Sequence, residues 1–213
     1  MKYIIMCGGN YSTWKEPKQL TKIKGEPIVE RTIRLLREHG VDDIYISSND
    51  DRFETFGVPV LKHENSFRVE NGNCSGDWVD AFYPMEGPCC YLFGDVVYSP
   101  EAIRKIVDRN PTGEVADFFA SAPPFSPRYL KPWAEPFAFK VWMSFSFREA
   151  IKRTKELKSS GMFRREPIAW ELWQVIKGTP LNEIVYTNYT VINDYTCDVD
   201  RPKDAAEIER RME

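Results

Sequence analysis

Residues 3 to 7 form an uninterrupted apolar run, Tyr3-Ile4-Ile5-Met6-Cys7, that stops at a glycine pair. A short continuous run bounded by glycine predicts a strand buried on both faces. In "EPIVERTIRLLREHG", Ile28, Val29, Ile33, Leu35 and Leu36 fall near helical spacing. The stretch closes at Gly40 with Arg37 and His39 in the last turn, which predicts a helix. "DDIYISS" and "VPVL" predict a second and a third strand, and "SGDWVDAFY" predicts a short helix capped by Ser75 or Asp77. "CCYLF" is another unbroken apolar run, and "SPEAIRKIVDRN" predicts a helix with Ser99 as N-cap and Pro100 at its first position. Strands alternating with helices imply a three-layer α/β/α architecture around a mostly parallel sheet.

The texture changes after residue 111, where "SAPPFSPRYLKPWAEPFAFKVWMSFSF" is dense in proline and aromatic residues. It predicts irregular structure with strands. Two helices are expected at 146–158 and 167–177, then a strand in "NEIVYT" and a terminal helix in "CDVDRPKDAAEIERRM". No repeat, low-complexity segment or linker divides the chain, so residues 1–213 are expected to form one domain.

Charge and cysteine usage narrow the partners. A net charge of −3 and a pI near 5.6 argue against a nucleic-acid surface, which needs clustered excess Lys and Arg. A small-molecule partner is expected. Lys2 with its few following apolar residues is too short for a signal peptide and no later run reaches membrane-span length, so a cytoplasmic protein that does not engage membranes is expected. The five cysteines, Cys7, Cys74, Cys89, Cys90 and Cys197, lack zinc-type spacing and are read as reduced.

In an open parallel sheet, ligands lie outside the carboxyl ends of the strands. Two loops share that edge: "GGNYSTWKEPK" after the first strand and "GDVVYS" after "CCYLF". The first offers backbone N–H groups at Gly8 and Gly9 and the cations Lys15 and Lys18, a composition suited to phosphate. A plain glycine turn is the competing reading, because the loop has neither the Walker lysine spacing nor G-x-G-x-x-G. Asp95 places a carboxylate on the same edge. Facing phosphate, it implies a bridging cation, for which Mg²⁺ is expected; the alternative is a turn cap. In "DVDRPKD", Asp198 and Asp200 precede a helix with Pro202 at its first position, and capping by Asp200 or Arg201 is the alternative there.

Pro17-Lys18 followed by "GEPI" at 25–28 and a long helix, then Leu92-Phe93-Gly94-Asp95, then Asp198 through Asp204, together resemble the GT-A-like nucleotidyltransferases. That family includes the sugar-phosphate, choline-phosphate and molybdenum-cofactor nucleotidyltransferases. The likeness runs in order from first strand to last helix, while 111–190 matches only in general layout. It implies a Rossmann-like, GT-A-like nucleotide-diphospho-sugar transferase fold with a mixed, mostly parallel sheet. The NTP-binding part would be about 1–110, the acceptor-binding part about 111–195, and the metal motif and helix 196–213.

The resemblance also assigns roles. Gly8, Gly9 and Asn10 belong to the loop over the NTP phosphates, Lys18 neutralises charge on them, and Lys15 lies nearby. Asp95 and Asp200 bind Mg²⁺, with Asp198 the alternative to Asp200. Ser75, Gly76 and Asp77 occupy the place of base and ribose contacts. The family's loop usually continues with a further glycine and an arginine, where this chain has Tyr11 and Thr13. A lysine such as Lys15 is a point charge and does not replace the planar fork of an arginine.

The implied activity couples an NTP with a phosphorylated small molecule, a sugar 1-phosphate or a phosphocholine-like compound, and releases pyrophosphate. The nucleophile is already an anion, so no Ser, Cys or His needs activation, and His39 and His63 receive no catalytic role. For the acceptor, Arg128, Lys140, Arg164 and Trp170 are the candidates, with most aromatics of 125–195 expected in the core. A GT-A glycosyltransferase and a non-catalytic nucleotide or sugar-phosphate sensor are the competing functions, and a homodimer is left open.

Overall fold

The structure is a computed structural model that describes residues 1–8, 14–70, 73–122 and 133–212. Seven strands form the main sheet: β1 (Lys2–Met6), β2 (Ile44–Ser47), β3 (Val60–Leu61), β4 (Cys89–Phe93), β5 (Ala116–Ser121), β6 (Pro136–Val141) and β7 (Thr190–Ile192). Their order is β7-β5-β6-β4-β1-β2-β3. β6 runs antiparallel to both its neighbours, and the other pairings are parallel. The helices are α1 (Ile28–Glu38), α2 (Pro100–Asp108), α3 (Ser144–Ser159), α4 (Ala169–Lys177) and α5 (Pro202–Arg211).

Successive strand residues point to opposite faces, so neighbouring side chains show what covers each side. Lys140 on β6 reaches carbonyls at the end of α2, whereas the adjacent Phe139 packs on Phe147 of α3 and Trp173 of α4. Helices therefore cover both faces, α2 on one and the α3/α4 pair on the other. Ile4 and Ile5 are both fully buried, which is why β1 reads as an unbroken apolar run instead of an alternation.

The helix ends follow the expected signals. Gly40, with φ +75°, supplies the left-handed turn after α1. The hydroxyl of Ser99 accepts from Ala102 N at 2.9 Å at the start of α2 and donates to Asp194 at 2.6 Å. Ser99→Ala removes both bonds and is expected to cost about 1–2 kcal/mol in urea unfolding.

Two expectations are corrected. "NEIVYT" is not a strand; the strand follows it, at Thr190–Ile192. The carbonyls of the predicted strand serve side chains of α4 instead of a ladder: Gln174 donates to Glu183 O at 2.8 Å and Trp173 to Thr187 O at 3.1 Å. "SGDWVDAFY" forms only a short 3₁₀ turn, Trp78–Ala81, without a side-chain cap. Ser75 lies in a small hairpin strand, and the Asp77 carboxylate pairs with Lys158 at 2.9 Å.

A second, smaller core seats the end of the chain. Ile23, Ile28, Val97, Cys197, Val199, Ala205 and Ile208 bury one another beneath α5. The pairs Cys197↔Val97 and Asp198↔Val96 form a short antiparallel ladder beside it. The C-terminal acidic segment is thereby fixed against the loop that follows β4. Among the described residues no helix is long and apolar enough to cross a membrane.

Candidate active site

β1, β2 and β4 end on one edge of the sheet, and the antiparallel β6 begins there. Gly94 N donates to Met6 O at 3.1 Å and so ties the loop after β4 to the end of β1. A Cβ on Gly94 would lie 2.4 Å from that oxygen and 2.9 Å from Cys7 Sγ, so only glycine permits the approach. Asp95 follows directly, and its carbonyl accepts from Val199 N at 2.9 Å. Strand end, β4 loop and C-terminal segment thus converge through backbone bonds.

Lys18 occupies the centre. It opens a 3₁₀ turn, Lys18–Leu20, and its side chain is 4% exposed. Nζ lies 2.8 Å from Asp95 Oδ2 and 3.5 Å from Asp200 Oδ1. Asp200 is available for this contact because capping of α5 falls to Asp204, whose Oδ2 accepts from Arg201 N at 2.9 Å and Asp200 N at 3.1 Å. Arg201 stands at the N-cap and Pro202 at the first helical position. The indole of Trp14 donates to Asp200 O at 3.2 Å and ties the first loop to the same place.

Two cavities meet at Gly8, Lys18 and Asn65, which line both. One, of about 380 Å³, is polar, with Lys15, Ser48, Asn49, Arg52 and Arg68 on its walls. The other, of about 370 Å³, combines the aromatics Phe67, Trp78, Phe93 and Trp133 with the carboxylates Asp95, Glu135, Asp198 and Asp200. Carboxylate oxygens of Glu135, Asp198 and Asp200 come within 4.8 Å of one another. The residues present therefore fit a hard divalent cation, which favours several oxygen ligands. Asp198 and Asp200 both line this cavity. The Cys7 thiol beneath is pushed well above its usual pKa by burial and by the Asp95 carboxylate, and stays protonated.

Other expected site residues lie elsewhere. Lys140 is buried, with its ammonium on Ile106 O at 2.8 Å and Val107 O at 2.7 Å, so it neutralises the end of α2 and lines neither cavity. Trp170 is also core, its indole donating to Ala134 O at 2.8 Å. Arg164 is exposed outside both cavities; its neighbour Arg165 lines the aromatic one and pairs with Glu171 at 2.6 Å. Ser75, Gly76 and Asp77 line neither cavity, and Gly76 instead packs on Ser66, whose carbonyl would lie 2.2 Å from an added Cβ. Gly9, Asn10, Tyr11, Thr13 and Arg128 lie outside the described residues. His39 caps its helix through Leu35 O and His63 contacts Asp80 O, both backbone partners.

Sequence reading missed Asn65, Arg52 and Glu135. Asn65 donates to Gly8 O at 3.1 Å and accepts from Phe67 N at 2.8 Å, bracing the wall between the cavities. Glu135 reaches the edge because it directly precedes the antiparallel β6, a direction that no local pattern encodes. The one available signal was a carboxylate beside tryptophan in the proline-rich stretch.

A polar site at the carboxyl edge of a mostly parallel sheet, with a buried lysine between carboxylates, lies where an open α/β sheet binds its ligand. Residues 3–116 match the family model of the MobA-like NTP transferase domain, just over half of the 213 residues. The chain belongs to that family and is a nucleotidyltransferase. A protein of Bacillus anthracis designated a glucose-1-phosphate thymidylyltransferase aligns over 99% of this chain and 94% of its own, with a TM-score of 0.61 at 15% identity. The CTP:phosphocholine cytidylyltransferase of Streptococcus pneumoniae aligns over 100% and 99%, with a TM-score of 0.52 at 14% identity. At such identities the likeness is one of fold, and it agrees with the fold expected from the sequence. No curated protein sequence matches the chain.

Proposed function

We propose that the protein transfers a nucleotidyl group from an NTP to the phosphate of a small amino-alcohol ester of the phosphocholine type. The observation that carries this reading is the Lys18 ammonium at the junction of the two cavities, 2.8 Å from Asp95 and 3.5 Å from Asp200. The polar cavity suits the nucleotide, and Gly8 and Lys18 at the junction suit its phosphates. An oxygen of the acceptor phosphate attacks the α-phosphorus; a new P–O–P bond forms, the α–β bridging bond breaks, and pyrophosphate leaves with the electron pair. Lys18 neutralises charge on the phosphates, and the walls hold the reacting groups in line. Mg²⁺, when held by Asp95 and Asp200 with Asp198 and Glu135 beside them, supplies further neutralisation of phosphate oxygens.

The acceptor class rests on the aromatic cavity. Its described walls carry four carboxylates against Lys18 and Arg165, and Arg165 is already paired with Glu171. A sugar 1-phosphate brings only negative charge to such walls. An amino-alcohol phosphate also brings a cation, which Trp78, Trp133 and Phe67 can face through their rings. The fold neighbour that acts on phosphocholine is consistent with this choice, and a sugar 1-phosphate is the second reading.

Pyrophosphate release, measured for four NTPs against phosphocholine, phosphoethanolamine and a set of sugar 1-phosphates, tests the proposal. Release is expected with an amino-alcohol phosphate; release with sugar phosphates alone would overturn the acceptor class, and none with any pair would overturn the activity. Trp133 is 46% exposed on the cavity wall and bears little of the core. Trp133→Ala should raise the acceptor KM by about fivefold to tenfold, while leaving the nucleotide KM unchanged in steady-state kinetics.

A further inference from the structure

We propose that a second binding site lies between α3 and the amino edge of the sheet, and that it takes a small anion with an apolar body, such as a medium-chain carboxylate. It is separate from the nucleotidyl-transfer site and does not rest on that reading. β4 begins at Cys89, and the antiparallel β6 ends beside it at Val141, so this edge is opposite to the one that carries Lys18. A cavity of about 280 Å³ opens there, with Cys89, Tyr91 and Val141 from the sheet on one side and α3 on the other. Small-molecule sites occupy about 300–1,000 Å³, so the space suits a small occupant. It is far larger than the water-sized voids that close-packed interiors leave.

The inner walls are apolar and held by contacts of their own. Phe147 stacks on Tyr91 at 5.9 Å and meets Phe82 edge-on at 5.3 Å. The Tyr91 hydroxyl is spent on Tyr83 O at 2.5 Å. Burial pushes the Cys89 thiol up to about 11, so it stays neutral and puts no anion in the cavity. An apolar body can therefore enter without stranding a polar group of the wall.

Charge gathers where the cavity meets solvent. One face of α3 lines it over successive turns, with Ser144, Phe147, Arg148, Ile151, Lys152 and Lys155. Three of these are cations, and no carboxylate lines the cavity. Lys155 is paired with Asp80. Arg148 spends one N–H on Met85 O at 2.6 Å, which leaves the rest of its guanidinium fork. Lys152 is exposed and has no ion pair among the described residues. In a chain of net charge −3 this is a local reversal of sign, set over an apolar cavity. A carboxylate head placed on Arg148 and Lys152 gains charge-assisted hydrogen bonds while its tail lies against Phe82, Tyr91 and Phe147. A cationic head would be repelled there, and a neutral one would forgo those bonds.

Isothermal titration calorimetry of the full chain with octanoate, octanol and octylammonium, which share one apolar body and differ in charge, tests this. Octanoate should bind about tenfold more tightly than octanol or better, and octylammonium more weakly than either. Equal affinity for the three, tighter binding of octylammonium, or no binding of octanoate would overturn the inference. Lys152→Glu should weaken octanoate binding by about tenfold or more and leave octanol unchanged. Arg153→Glu makes the same change of net charge one residue further along, outside the cavity lining, and should leave octanoate binding near wild type. An equal loss in both variants would show attraction by overall charge alone and would overturn the placement. Crystals soaked with octanoate brominated at its terminal carbon locate the ligand without a variant. Anomalous density is expected among Phe82, Tyr91 and Phe147, and density only elsewhere would overturn the site.

Discussion

Asp95→Asn is expected to reduce turnover by about a thousandfold or more, while the far-ultraviolet circular dichroism stays that of the native fold. Asp95 is the closer of the two carboxylates on Lys18, and it stands where a strand end, a β4 loop and the C-terminal ladder are bonded together. The amide preserves shape and hydrogen bonding but removes the charge that positions either Lys18 or a metal. Because the Lys18 side chain is 4% exposed, losing its partner should also lower stability by about 1–3 kcal/mol in urea unfolding. Asp200 remains 3.5 Å away and keeps the loss from being larger. Near-normal turnover in Asp95→Asn would show that the chemistry lies elsewhere.

Gly94→Ala is the second large effect. The new methyl would meet Met6 O at 2.4 Å and Cys7 Sγ at 2.9 Å, neither of them a flexible chain end. Either β1 or the β4 loop must move, which should cost about 2–3 kcal/mol in urea unfolding and displace Asp95 from Lys18, so that activity falls as well. Gly8→Ala is the control for packing. Its nearest neighbour would be Asn65 Cβ at 3.7 Å, an ordinary contact, and its unfolding midpoint should stay close to wild type. Equal destabilisation by the two substitutions would contradict the close-approach argument.

Much of the architecture from β1 to α2 and around α5 is legible in sequence, for physical reasons that single residues show. Ile4-Ile5 and Cys89-Cys90-Tyr91-Leu92-Phe93 are apolar without alternation because helices cover both faces, and the glycine that ends the second run is required by contact with Met6. Ser99-Pro100 and Arg201-Pro202 mark helix starts whose caps act at three or four residues' range. The walls of the two cavities are less legible because their determinants are long-range. Glu135 enters through strand direction and Asn65 through a loop that touches Gly8. Lys140 misled as a basic residue in a candidate binding segment, although its place inside the apolar run Phe137-Ala138-Phe139-Lys140-Val141 was a sign of burial. Its partners, two carbonyls of α2, are thirty-odd residues away in sequence. Trp170, an acceptor candidate in the sequence, is core together with Trp173, three residues further along the same helix.

In the proposed reaction an acceptor phosphate oxygen attacks the α-phosphorus of an NTP at Lys18 and Asp95. Acceptor labelled with ¹⁸O in its phosphate, incubated with the NTP and the divalent ion and followed by ³¹P nuclear magnetic resonance, measures this directly. Label is expected in the bridging P–O–P oxygen of the product, with unlabelled pyrophosphate. A product without bridging label, or NTP consumed to nucleoside monophosphate with the acceptor unchanged, would contradict it.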